Sequence, residues 1–228
     1  MKVNDFLVRQ CNVSKDEAGR FIEQNRVQIN KCKAVQKQFI IETDLVELDG
    51  KTLQQGVVYK YYAFYKPRGI ECTLNPAIEN NLRELIPFEG HFYPVGRLDK
   101  QSEGLLLLTN DGHLYQRIAL SENFKEKEYE VEVNAELSDE AMQQLASGVV
   151  IMRVKKTRPA VITRIHSQAF RIILTQGLNR QIRRMCYTVG LEVTSLKRIR
   201  ISSVKLDGLK PGEYKELKAT DIETTAQS

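Results

Sequence analysis

Four consecutive leucines, Leu105 to Leu108, run almost straight into Asn110-Asp111-Gly112. A short unbroken apolar run closed by turn formers reads as a strand entering a core. Any fold for this chain must therefore supply a sheet able to take that strand in. Just ahead of the run stands Asp99, between Arg97 and Lys100. Taken by itself, Asp99 reads as a turn or cap residue. The other reading is a carboxylate held at the mouth of a cleft for chemistry.

Alternation and β-rich composition mark partner strands at 59–66, 128–133, 159–165, 170–176 and 212–217, with a further group over 191–206. Helices are fewer. They are expected over 80–86, over 113–120, from a Ser138 cap to a Gly148 stop, and from an Asn179 cap to Gly190. Residues 59–228 thus predict a larger α+β domain on a mixed, mostly antiparallel sheet with flanking helices. Ahead of it, Val3, Phe6 and Leu7 fall at helical spacing, and Ser14-Lys15-Asp16-Glu17 reads as a capping box opening a second helix. With short strands at 27–30 and 40–48, residues 1–50 form a small αα-β module, and the polar stretch 51–58 reads as a linker.

The chain has 228 residues, 42% of them hydrophobic, enough to bury a sizeable core. No window approaches the roughly 18 apolar residues of a membrane helix, and the start lacks the apolar core of a signal peptide. A cytoplasmic, monomeric protein without a membrane partner is expected. The four cysteines are scattered with no C-x-x-C pair, and the three histidines add no ligand spacing. That inventory favours a reducing compartment and chemistry without a metal.

Charge is distributed unevenly. Residues 153–200 carry twelve Lys or Arg against one acid, Glu192, a net of +11 in a chain whose total is +5. A basic block set against an acidic remainder points to a polyanionic partner, nucleic acid before membrane. Within it, helical phase over 179–190 places Ile182, Met185, Cys186 and Val189 on one face and Arg180, Arg183, Arg184 and Tyr187 on the other. Three guanidinium groups beside a helix N-terminus attract phosphate or carboxylate, although an ordinary amphipathic surface helix shows the same pattern. Lys155, Lys156, Lys197, Arg198 and Arg200 tilt the choice toward RNA or DNA. A carboxylate that must stay ionised away from water needs a fixed cation, best an arginine.

The run Gly96-Arg97-Leu98-Asp99-Lys100-Gln101-Ser102-Glu103-Gly104-Leu105 resembles the signature loop of the RNA pseudouridine synthases, in the branch typified by RsuA. Lys127-Glu128-Tyr129 resembles that family's second motif, and Gly177-Leu178-Asn179-Arg180-Gln181-Ile182-Arg183-Arg184-Met185 its third. Lys66-Pro67-Arg68-Gly69 is similar to a stretch early in the catalytic domain. Residues 2–48 are similar to the S4-like RNA-binding module of the branch, with Lys15-Asp16 where a basic pair is common and Asn30-Lys31 where Asn-Gly is usual.

The resemblance implies isomerisation of specific uridines in structured RNA to pseudouridine, with no metal or organic cofactor. It assigns Asp99 as the catalytic carboxylate, Tyr129 as the residue against the base, Arg183 as the partner keeping Asp99 ionised and Ile182 as an apolar wall. RNA contacts are then expected from Arg97, Lys100, Arg180, Arg184, Lys155, Lys156, Lys197, Arg198 and Arg200, and from Lys15 and Arg20 in the small module. His113 and Cys186 are read as structural. The third motif and Lys127–Val133 look most like the F-type large-subunit synthases, which implies ribosomal RNA, with a tRNA anticodon stem-loop as a further target. The competing class is a non-catalytic RNA-binding or ribosome-assembly protein on the same fold. A nuclease would want a metal carboxylate cluster or a His pair, and the sequence offers neither.

Overall fold

In the computed structural model, residues 1–88, 90–114, 125–152 and 155–222 are described. The chain divides into two units, Met1–Tyr59 and Lys60–Ser228. Most of the helix expected over 113–120 lies outside the described residues, as does Arg153.

In the first unit, α1 (Val3–Cys11) and α2 (Lys15–Glu23) precede β1 (Val27–Ile29), β2 (Cys32–Lys33), β3 (Val46–Leu48) and β4 (Lys51–Gln54). The strands form a sheet in the order β2-β1-β3-β4. Val3, Phe6, Leu7, Ala18, Ile22 and Val27 fill its core. The Glu17 N–H donates to Ser14 Oγ at 3.2 Å, which caps α2; the return bond of a capping box is not made. Two expectations fail here. Residues 40–45 are not strand, because Asp44 accepts the Ile41 N–H at 2.9 Å and the Gln54 carboxamide donates to the carbonyls of Ile41 and Asp44 at 2.8 and 2.9 Å. Residues 51–54 are not linker, because they pair with β3 and complete the sheet.

The second unit is built from β5 (Tyr61–Lys66), β6 (Tyr93–Val95), β7 (Glu103–Thr109), β8 (Lys127–Val133), α3 (Asp139–Ser147), β9 (Val150–Ile151), β10 (Lys155–Lys156), β11 (Val161–His166), β12 (Ala169–Leu174), α4 (Gln181–Thr188), β13 (Val193–Ile201), β14 (Val204–Lys205) and β15 (Tyr214–Leu217). The main sheet runs β11-β12-β8-β13-β7-β5-β15. Neighbouring strands along this order are antiparallel except β13 and β7, which are parallel. The leucine run is the heart of β7, with Leu105 to Leu108 at most 1% exposed. Leu106 and Leu108 pack with Tyr62, Phe64, Leu82 and Phe92. The expected helix over 80–86 shortens to a 3-10 turn, Leu82–Leu85, capped by Asn81.

The α3 helix starts where Ser138 Oγ accepts the Ala141 N–H at 3.1 Å. With α4 it covers the β8–β12–β13 part of the sheet, setting Leu145, Ile182, Met185 and Cys186 against Val131, Phe170, Ile172 and Leu196. No helix among the described residues is long and apolar enough to cross a membrane.

Candidate active site

The signature loop, residues 96–102, is held through its backbone. The Gly69 N–H donates to the Lys100 carbonyl at 2.7 Å, and the Ser102 N–H to the Asp99 carbonyl at 3.0 Å. Arg183 Nη2 donates to the Gln101 carbonyl at 3.0 Å, and Arg198 Nη1 reaches the Arg97 carbonyl at 3.5 Å. Bonds at the carbonyls of residues 97, 99, 100 and 101 fix the backbone that carries Asp99. This is the rigidity that a reacting group needs.

Asp99 is half-buried, and its Oδ2 lies 4.0 Å from Arg180 Nη1. That pairing corrects the expectation that Arg183 faces the carboxylate directly. Arg180 is the last residue before α4 and takes a left-handed backbone (φ 51°) without a side-chain cap, which turns its guanidinium toward the loop. Asn179 does not cap the helix; its carboxamide oxygen accepts from Arg184 Nη2 at 2.8 Å. Arg183 instead bridges the Val193 and Gln101 carbonyls, at 2.9 and 3.0 Å. Burial and then the neighbouring Arg180 draw the Arg183 pKa down, with Asp99 acting in the opposite sense. Arg183 therefore contributes to the field around Asp99 while holding the backbone of its loop.

Beneath the loop, Ile172, Tyr129 and Arg198 stand opposite one another on β12, β8 and β13, and Arg198 pairs with Gly104 on β7. Residues paired in this way share a face of the sheet. Tyr129 is half-buried against the cluster that contains Ile182, and its hydroxyl has no partner among the described residues. Gly104 stands opposite Lys66 on β5. Lys66 is fully buried, and its ammonium donates to the Pro67 and Ile70 carbonyls at 2.9 and 2.7 Å. Burial pushes its pKa down to about 8, opposed by nearby acids including Asp99.

The RNA-contact expectations separate once the strands are paired. Arg198 is 2% exposed and donates through Nε to the Leu105 carbonyl, at 2.7 Å, and through Nη1 to that of Arg97, while its buried Nη2 has no partner among the described residues. It cannot reach a phosphate. Arg200 is held by Glu128 at 2.7 Å and Glu126 at 3.0 Å, so its charge is already matched. The acids that alternate along β8 thus neutralise part of the basic block, since Glu130 likewise holds Arg171 at 2.9 Å. Arg97, Lys100, Lys155, Lys156 and Arg180 are exposed, and Arg184 and Lys197 are half-buried. Lys15 and Arg20 are exposed on α2 of the first unit. Burial pushes the Cys186 thiol up to about 12, which leaves it inert at neutral pH.

A groove of about 710 Å³ has Arg68, Gln101, Arg180, Arg183 and Arg184 among its lining residues. Asp99 does not line it, but Arg180, 4.0 Å from the carboxylate, and Gln101, on the same loop, do. Arg68 was not singled out from the sequence, although it lies in the Lys66–Gly69 stretch. The signal there is the similarity of that stretch to one early in the family's catalytic domain, which singles out no residue of the four. Among the described residues no group of three His, Cys, Asp or Glu side chains is gathered as a metal site would require.

Residues 60–188 match the family of RNA pseudouridylate synthases. Over 225 residues the chain is 37% identical to the dual-specificity RNA pseudouridine synthase RluF of Salmonella typhi, covering 95% of this chain and 75% of that one. It is 34% identical to the ribosomal small subunit pseudouridine synthase A of Yersinia pestis, covering 97% of both. The crystal structure of a pseudouridylate synthase superposes with a TM-score of 0.70 at 25% identity, covering 99% of each chain.

Proposed function

The chain belongs to the RNA pseudouridylate synthase family and isomerises uridine to pseudouridine, and we propose that Asp99 is its reacting carboxylate. The substrate we assign is large-subunit ribosomal RNA, with a tRNA anticodon stem-loop as second target. The observation that carries the reading is the mounting of Asp99. A half-buried carboxylate stands on a loop pinned at four carbonyls, with Arg180 at 4.0 Å and Arg183 fixed to the same loop.

The reaction breaks the bond between uracil N1 and the sugar C1′, turns the base and joins C5 to C1′. The C5 proton leaves carbon and N1 ends protonated, so the change is an isomerisation. The guanidinium groups of Arg180 and Arg183 set a positive field at the site where Asp99 works. A stacked uridine cannot reach a side chain in a cleft, so the base must flip out at a cost of a few kcal/mol. Cations along the groove offset that cost through phosphate contacts. Tyr129, on the sheet face below the loop, is the ring assigned to the flipped base.

The S4-like reading of residues 1–50 is supported by two helices against a small sheet with Lys15 and Arg20 exposed. The choice of RNAs rests on the third motif, and the dual specificity named for the Salmonella relative is compatible with two targets.

The test is tritium release from ribosomal RNA transcripts carrying uridine labelled at carbon 5. Asp99→Asn is expected to lower turnover by on the order of 10⁴-fold or more, with RNA affinity kept within about threefold. An Asp99→Asn protein that still releases tritium at the wild-type rate refutes the assignment. Release from small-subunit transcripts alone refutes the substrate choice.

A further inference from the structure

The groove lined by Gln101 and Arg180 has a second feature that the isomerisation of one uridine does not use. Tyr187, in the last turn of α4, lines it and is 82% exposed. Among the described residues its ring has no stacking or hydrogen-bond partner. It follows Arg183 and Arg184 at helical spacings of four and three, so all three crowd the same side of α4. Across the groove, Met152 is 56% exposed. One carboxylate, Glu192, lines the groove against the four guanidiniums of Arg68, Arg180, Arg183 and Arg184, for a net charge of +3.

We propose that this groove holds an unpaired nucleotide of the substrate RNA next to the target uridine, its base stacked on Tyr187 and its phosphate against Arg68, Arg180 and Arg184. The inference rests on the reading of Asp99 as the residue at the target uridine. The chemistry is that of a strand-tracking site, in which cations follow the backbone and an aromatic ring takes a base whatever its identity. A single exposed tyrosine is ordinary on a protein surface; one on the rim of a cationic groove is matched to a ligand that is both anionic and aromatic. The volume of about 710 Å³ falls in the range of ligand sites. Two of the cations are already oriented, since Arg183 is bonded to the Val193 and Gln101 carbonyls and Arg184 to Asn179. A nucleotide set there by Tyr187 would fix the register of the strand, and so decide which uridine reaches Asp99.

The test separates base from phosphate. Fluorescence anisotropy compares a labelled decauridylate with an abasic ribose-phosphate decamer of equal length. Tyr187→Ala is expected to weaken decauridylate binding roughly 5- to 150-fold and to leave the abasic decamer within twofold, while Tyr187→Phe binds as wild type. Unchanged decauridylate binding by Tyr187→Ala overturns the proposal, and so does an equal loss on both ligands. In the tritium assay Tyr187→Ala is expected to raise KM by a similar factor with kcat within about threefold. If Asp99→Asn releases tritium at the wild-type rate, the reading of Asp99 has failed. If Asp99→Asn is inactive and Tyr187→Ala keeps the wild-type KM, only the stacking site has failed.

Discussion

Gly104 closes the signature loop and opens the leucine strand, and replacing it with alanine tests how that loop is mounted. Its φ of +104° belongs to a region that side-chain-bearing residues rarely adopt. An added Cβ would lie 2.3 Å from the Arg198 carbonyl oxygen and 2.8 Å from the Arg198 nitrogen. Two costs follow. The backbone conformation costs roughly 1–3 kcal/mol for a non-glycine residue. Relieving the contact requires β7 and β13 to part by about 1 Å, and the pairing there is short, Lys197 with Glu103 and Arg198 with Gly104. Losing about two hydrogen bonds adds roughly 2 kcal/mol. Gly104→Ala should therefore lose about 3–5 kcal/mol, a large part of a typical domain's 5–15 kcal/mol. Gly212→Ala is the control, because φ is +87° there and nothing lies within 4 Å of its added Cβ. It carries the backbone cost alone. Urea unfolding followed by far-ultraviolet circular dichroism measures both, and turnover should fall further in Gly104→Ala because Arg198 also anchors the loop. A Gly104→Ala protein no less stable than Gly212→Ala would show that the close approach to Arg198 costs nothing, and the reasoning would be wrong.

Two further outcomes are expected from buried cations. Arg198→Gln should lower kcat about 10- to 100-fold with KM within about threefold, since a displaced loop misplaces Asp99 without removing an RNA contact; a rise in KM at constant kcat would return Arg198 to the RNA-binding surface. Lys66, with its pKa lowered to about 8 from 10.5, sheds its proton in the folded state before the unfolded one. The unfolded state binds more protons between those values, so Lys66 makes stability rise with pH across that window and contributes no pH dependence below it. Unfolding of wild type and Lys66→Met should therefore diverge in favour of wild type by on the order of 1–2 kcal/mol from pH 8 to pH 10. Parallel stability curves would contradict a buried, charge-strained Lys66.

Much of the architecture could be read from local pattern. The strand at Leu105–Leu108, the caps at Ser14 and Ser138 and the alternation along Lys127–Val133 depend on a few neighbouring residues, and they are where the spacing put them. The same locality explains the misreadings. Residues 51–54 look like linker until β3 supplies their partners, and Ile40 and Ile41 alternate plausibly until Asp44 and Gln54 fold the segment into a turn. Motif register likewise marked Asp99, Arg183 and Tyr129 as a set, without giving their mutual geometry.

What the sequence determined by itself is most of the long strands and helices and which loop carries the acid, because capping, periodicity and turn chemistry act over one or two turns of chain. The tertiary structure decided what each charge does. Arg180 rather than Arg183 stands nearest Asp99, Arg198 is a buried strut donating to Leu105 across 93 positions, and Arg200 is matched to Glu128 on β8 and Glu126 just before it. Helical phase could not separate Arg180, Arg183 and Arg184, and composition counted every arginine as a free cation. Burial and pairing are set by strands far apart in the chain, so the chemistry of an arginine depends on which carbonyl or carboxylate the fold brings to it.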